Sequence, residues 1–293
     1  MTMSQIESMP MGRPRVWLAV WALAHREVVR FVRQRSRFVG ALAQPILFWI
    51  LFGAGLHGSF RAPSWAASSM SYQEYFFPGI AVLILLFTSI FSSISIIEDR
   101  HEGFLQGVLV APVSRLALVL GKLVGGTALA MFQAVLFLSL GAAMAKLGLA
   151  PAMSIEVTWL SGLELLFFMS LVAFGLAGLG FLIAWKFDSV QGFHAIMSIF
   201  LMPMWLLSGS FFPGEGSGVL AWVVRLNPLT YGVAGVRRLL YASNPSLLAA
   251  DSSGLPTLER SVVVAMAFAA LCVGGAVVMA RQTQGVRKVK RSK

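Results

Sequence analysis

The chain has 293 residues, 57% of them AVILMFWYC and only 12% charged. Soluble chains carry about 25% charge and have nowhere to place so much apolar surface, while so few charges among so many Phe and Leu exclude a disordered chain. The surplus of 23 Lys and Arg over 12 Asp and Glu, a net charge of +11, therefore reports orientation in a membrane before any affinity for nucleic acid.

Met1–Pro14 is polar, and no short apolar core with a cleavage site follows, so it does not read as a secretory signal. Next, Trp17, Val20, Trp21, Ala24, Val28 and Phe31 recur on one helical face, with Arg26, Arg30, Arg33 and Arg37 on another. The spacing predicts an amphipathic helix in the headgroup plane, its arginines among anionic lipids; the alternative is a basic helix packed on a partner. Crossing the hydrocarbon takes about 20 mostly apolar residues. Six stretches meet that need, at about 38–56, 75–97, 123–145, 159–185, 193–207 and 261–280. Glu74 and Glu98 bound the second, Lys122 and Lys146 the third, and Pro203 is expected to kink the fifth.

Between the fifth and sixth stretches, Leu220–Tyr241 is apolar enough to suggest another crossing. Arg225, Arg237 and Arg238 oppose it, each costing about 2.5–3.5 kcal/mol near the bilayer centre. Asn227-Pro228 instead reads as a helix cap and first helical residue, giving a short amphipathic or re-entrant helix in the outer leaflet. Seventeen cations then share a side with the two termini against six on the other, which predicts both termini in the cytosol. The expected fold is an all-α polytopic membrane protein with six transmembrane helices, an N-terminal amphipathic interfacial helix and an outer re-entrant helix between spans five and six. Its segments are a basic N-terminal stretch 1–37, a transmembrane domain 38–284 and a basic tail 285–293.

Enzyme motifs are missing. His101-Glu102 has no second histidine at the metalloprotease spacing, and no G-x-S-x-G elbow occurs. Gly121-Lys122 is followed by leucine with no glycine five residues earlier, so the chain has no loop to cradle ATP phosphates. The single Cys272 builds neither a disulfide nor a cysteine metal site. Three polar groups lie in or near spans: Gln133 as an interhelical hydrogen bond or a cavity group, Glu164 as a carboxylate reaching the outer interface or a group on a substrate route, and His194 as an interfacial histidine. The pairs Gly121/Gly125 and Gly175/Gly178 suit close helix packing.

The segment after span two is the most informative. Glu98-Asp99-Arg100-His101-Glu102-Gly103 is a charged breakpoint before a short apolar helix, Phe104–Val110, which Pro112 stops and after which Ser114 can cap the next. Such a helix, hung below the membrane, either meets a partner surface or lies on the bilayer. The run Glu98…Gly103…Pro112-Val113-Ser114-Arg115…Gly121-Lys122 is accompanied by Phe77-Pro78-Gly79-Ile80, by Leu207-Ser208-Gly209…Phe212-Pro213, and by Leu226-Asn227-Pro228-Leu229-Thr230-Tyr231 followed by Arg237. In this order and spacing, over nearly the whole chain, the four resemble the permeases of ABC-2-type transporters, nearest to the drug-resistance and lipo-oligosaccharide export branches.

The resemblance implies a dimer with a second permease copy or paralogue, served by separate ABC ATP-binding subunits that carry ATP and Mg, so that no cofactor binds this chain. It implies that the N-terminal helix and the helix after Gly103 form the docking surface for those subunits, with Glu98, Gly103, Phe104, Pro112, Ser114, Arg115 and Lys122 in coupling. Asn227, Pro228, Tyr231 and Arg237 fall in the outer gate, and Gln133 and Glu164 are candidates for the substrate path. The implied activity is export of an amphipathic or lipid-linked substrate (drug, lipid, lipo-oligosaccharide or polysaccharide) across a bacterial inner membrane. Membrane lipids are expected partners and nucleic acid is not; the alternative is an ion-coupled carrier or channel with no ATPase. One departure follows Pro213, where Gly214-Glu215-Gly216-Ser217-Gly218 is richer in glycine than the family's pattern.

Overall fold

The computed structural model describes residues 16–56, 58–111, 113–148, 153, 155, 157–211, 218–244, 247–248 and 254–291, the side chains of 35–38, 41 and 283–291 excepted. Pro112 and most of the glycine-rich stretch, 214–217, lie outside the described residues. Among them the main elements are helices: α1 Val16–Arg33, α2 Arg35–Gly55, α3 Tyr72–Ser92, α4 Ile94–His101, α5 Phe104–Val110, α6 Arg115–Lys146, α7 Trp159–Ala184, α8 Val190–Trp205, α9 Val219–Leu226, α10 Pro228–Leu240 and α11 Leu258–Arg291. A π-helical turn, Leu206–Ser210, extends α8.

Five runs are long and apolar enough to cross a membrane: Tyr72–His101, Arg115–Lys146, Trp159–Ala184, Val190–Ser210 and Leu258–Gln282. α2 adds a shorter apolar run, Leu42–Gly55, and α9 and α10 meet at a 69° bend. The bend falls at Asn227, whose side chain accepts from Leu229 N at 3.0 Å ahead of Pro228. The expected cap is the one found.

Two helices begin earlier than hydropathy suggests, each because of a cap. Ser71 and Glu74 form a reciprocal capping box, Glu74 N on Ser71 Oγ at 3.2 Å and Ser71 N on Glu74 Oε2 at 3.0 Å, so Glu74 belongs to the first turn of α3 and does not precede it. Ser114 takes Ala117 N at 3.1 Å, which starts α6 at Arg115 and carries Lys122 inside the helix.

α3 is the central element, buried along almost its whole length and packed by α2, α6, α7 and α10. Around it the helices turn apolar side chains outward, Trp159, Phe167, Ile199, Phe200 and Leu271 among them. Lipid tails are as apolar as these residues, so close backbone approach must supply much of the attraction between helices. Two glycines of α6 show it: a Cβ at Gly121 would stand 2.6 Å from Leu23 Cβ, and one at Gly125 would stand 2.8 Å from Glu27 Cβ. The partner is α1, whose Val20, Leu23, Ala24 and Glu27 are buried. Gly175 and Gly178 of α7 likewise receive Ala269 and Cys272 of α11.

α1 is amphipathic as expected, but two of the four residues of its arginine face do not turn to lipid; Arg33 is exposed, and the Arg37 side chain lies outside the described residues. Arg26 and Arg30 turn onto carboxylates of this same chain, while Trp17 and Trp21, on the expected apolar face, are 71% and 62% exposed.

Candidate functional site

At one end of the bundle the charged residues of α1, α4 and α6 form a single network. Asp99 of α4 is fully buried and meets three cations: Arg26 through both oxygens, at 2.6 and 3.0 Å, Arg30 at 3.0 Å, and the Lys122 ammonium. Lys122 also reaches Glu27 Oε1 at 2.6 Å and Ser95 Oγ at 3.0 Å. Arg30 continues to Glu98 at 3.1 Å and Glu102 at 2.9 Å. Burial works against the charge of Arg26, but its hydrogen bond to Asp99 and the nearby Glu27 and Glu102 outweigh that and hold the guanidinium above its ordinary pKa.

The corner at Gly103 hangs on this network. Gly103 adopts φ 78°, a left-handed conformation that favours glycine and breaks α4 from α5. The Arg26 guanidinium lies 3.7 Å above the Phe104 ring centre, Gln106 donates to Arg100 O at 3.1 Å, and Arg115 donates to Leu109 O at 2.8 Å. On the other flank Arg100 donates to Trp185 O at 2.7 Å and Phe187 O at 2.9 Å and pairs with Asp188 at 2.7 Å, while His101 Nε2 donates to Asp188 O at 2.6 Å. The α4–α5 corner is thereby fastened to α1, to α6 and to the link between α7 and α8. Glu98, Gly103, Phe104, Ser114, Arg115 and Lys122 come together here, joined by Asp99 and Arg100 of the charged breakpoint and by Arg26 and Arg30, which the spacing assigns to lipid; Glu27 and Asp188 are the members that sequence reasoning missed. Glu27, the lone acid in a basic helix, was the one available signal.

Beside the network lies a partly open cavity of about 260 Å³, lined by residues of α1, α2, α3, α4, α6 and α8. Its wall is largely apolar, with Leu83, Ile84, Phe87 and Met202, and its polar rim is Glu27, Arg30, Ser95 and Glu98. His194 also lines it, its ring 4.8 Å from that of Phe91. Thr88, on the wall, donates to Gln133 Oε1 at 2.5 Å, so Gln133 makes an interhelical bond just behind the lining, and its Nε2 has no partner among the described residues. Glu164 is exposed on α7 and does not line this cavity.

At the opposite end, three motifs far apart in sequence meet. Pro78 has no N–H, so the Glu74 carbonyl loses its helical donor, and the Tyr241 hydroxyl donates to it at 2.6 Å. Gly79 leaves room for the π turn, since a Cβ there would stand 2.7 Å from Ser210 Cβ, and its carbonyl accepts from Trp205 Nε1 at 2.8 Å. Within that turn Gly209 has φ 75°, and its carbonyl takes the Tyr75 hydroxyl at 2.7 Å and Arg237 Nη2 at 3.3 Å. Asn227 donates to Met204 O at 2.5 Å, which ties the start of α10 to the same turn. Phe52, Phe76 and Phe211 close over it, ring centres 5.0 to 6.1 Å apart. Pro228 opens α10, and Tyr231 caps the end of α9 by donating to Arg225 O at 3.0 Å, away from the aromatic cluster.

Residues 18–241, from α1 through the end of α10, match the family described as ABC-2 type transporter. The chain belongs to that family. Among proteins similar to this ABC-2 chain, one from Cyanophora paradoxa named as transport permease ycf38 is 27% identical over 75% of this chain and 73% of its own. An Escherichia coli K12 protein named as multidrug ABC transporter permease YbhR is 27% identical over 63% of this chain and 48% of its own length. The inner membrane transport permease YadH of the same strain is 24% identical over 87% of this chain and 93% of its own. The ABC-2 chain is thus a multi-pass membrane transport permease, and the family match takes in both the ion-pair end and the aromatic end while leaving α11 outside.

Proposed function

We propose that this permease is the membrane-spanning part of an ATP-driven exporter of amphipathic molecules. A separate ABC ATP-binding subunit docks on α1 and α5, two permease copies or paralogues make the full transporter, and the ion-pair end faces the cytosol of a bacterial inner membrane. The observation that carries the reading is that Glu27, Arg30, Ser95 and Glu98 belong both to the ion-pair network and to the cavity rim. A push on α5 reaches α4 through the Gly103 corner, and any shift of α4 changes the shape of the cavity. A cavity with apolar walls and an ionic rim suits a molecule with a tail and a polar head. The missing phosphate loop agrees with hydrolysis on another chain, and the multidrug designation of YbhR agrees with amphipathic cargo.

The test is reconstitution with the ATPase that co-purifies from native membranes. Glu98→Ala and Gly103→Pro should insert and assemble but transport less per ATP hydrolysed; unchanged transport in both variants refutes the coupling role. If no ATPase co-purifies and Glu164→Gln abolishes transport, the chain is an ion-coupled carrier.

A further inference from the structure

Arg237 carries a charge that nothing in its surroundings cancels. It is 2% exposed, and no carboxylate lies within ion-pair distance of it among the described residues. Of its five donor hydrogens, those of Nη2 go to Tyr75 O at 2.9 Å and Gly209 O at 3.3 Å, while the Nε hydrogen has no partner. Trp65 and Tyr75 lie against the guanidinium, their ring centres 4.8 and 4.5 Å away. A buried cation facing carbonyl dipoles and aromatic rings is held less well than one facing an anion.

Neither carbonyl depends on Arg237. Gly209 O keeps the Tyr75 hydroxyl at 2.7 Å, and Tyr75 O is a helical carbonyl whose own partner four residues on, Gly79, has its N–H. The arginine can therefore let go of both without leaving a buried acceptor bare. Gly209 is the left-handed residue of the π turn, with nothing within 4 Å of where its Cβ would be. The cavity at the other end bears both signs of charge, Arg30 beside Glu27 and Glu98, and does not select a head group. At the aromatic end the Glu74 carboxylate takes Ser71 N and Oγ, whereas Arg237 meets carbonyls and aromatic rings.

We propose that Arg237 recognises an anionic head group on the transported amphipath. As the head arrives, the guanidinium exchanges the two carbonyls for the anion's oxygens, and the Gly209 turn is freed to swing away. The identity of the cargo rests on the exporter reading, but the binding step needs no ATPase and is measured without one.

The full chain in neutral-lipid nanodiscs is titrated with dodecyl phosphate, dodecylphosphocholine, dodecyltrimethylammonium and inorganic phosphate, all below micellar concentrations. Dodecyl phosphate should bind roughly tenfold tighter than the other two amphipaths, the size of one charge-assisted hydrogen bond. Arg237→Gln should erase that preference and Arg237→Lys keep part of it. Tyr75→Phe, which retains the ring but leaves Gly209 O to Arg237 alone, should weaken dodecyl phosphate binding several-fold without touching the zwitterion. Equal affinity for the three head groups, an intact preference in Arg237→Gln, or an unchanged affinity in Tyr75→Phe overturns the proposal. Inorganic phosphate binding as tightly as dodecyl phosphate overturns the amphipath assignment. Selective binding with no transport in the reconstituted complex sinks the exporter reading alone.

Discussion

Replacing Asp99 with Asn removes the anion at the centre of the ion-pair network while keeping its volume. Loss of one partner from a buried pair costs about 3–5 kcal/mol. Arg26 and Arg30 are 30% and 23% exposed, so water screens most of what they lose. Lys122, 4% exposed, has no such relief, but it keeps Glu27 at 2.6 Å. The expected cost is therefore at the low end, about 3 kcal/mol, and it falls on the seating of α1 against α6. Opening of α1 should become roughly a hundredfold more frequent. Amide hydrogen exchange of the full chain in nanodiscs reads this directly: protection over Leu23–Arg30 should drop by about that factor while α7 and α11 keep theirs. Adding Lys122→Met should restore much of the protection, because the stranded ammonium is gone and Glu27 still has Arg26 at 3.3 Å. A change in α1 below about tenfold, or an equal loss across all helices, would refute the assignment of the network as the fastening of α1.

The other predictions concern close packing and buried polar pairing. Gly125→Leu places a side chain where a Cβ already stands 3.2 Å from Ala24 O and 2.8 Å from Glu27 Cβ; α1 should be displaced at a cost of about 1–3 kcal/mol, seen as faster tryptic cleavage at Arg26 and Arg30, and an unchanged cleavage rate would contradict the packing. Thr88→Val leaves Gln133 Oε1 without its donor and should cost about 1–3 kcal/mol, whereas Thr88→Val with Gln133→Leu should be milder than the single change. Thermal unfolding of the two variants in one detergent gives the order, and the reverse order would count against the pair.

Hydropathy bounds a helix well where tryptophan marks both ends: 159–185 is expected and Trp159–Ala184 is found. Hydropathy alone starts α3 and α6 too late because a capping side chain, not apolarity, decides the first turn there; the Ser114 cap is legible in the sequence and the Ser71–Glu74 box is not among the caps read from it. Helical periodicity finds the apolar stripe of α1 but not which part of it meets protein, since an exposed tryptophan such as Trp17 or Trp21 reads like the buried Val20 and Ala24 beside it. The arginines were accordingly assigned to lipid, although the lone Glu27 in the same helix pointed to a buried partner such as Lys122. At the aromatic end, Pro78, Gly79, Gly209 and Asn227 were each legible as breakers or caps. Their meeting was not, because the carbonyl that Pro78 frees is taken by Tyr241, 167 residues further on.

That distance has a counterpart in time at the other end. α1 is made first, yet its seat on Gly121, Lys122 and Gly125 is translated about 95 residues later. Until then Val20, Leu23 and Glu27 have no protein surface to face. A ribosome-bound chain that stops before Lys122 holds a helix free to rest on the bilayer; one that has inserted the first turns of α6 can lock it down. The basic helix thus waits about 95 residues for its seat, while α3 waits longer still for α10.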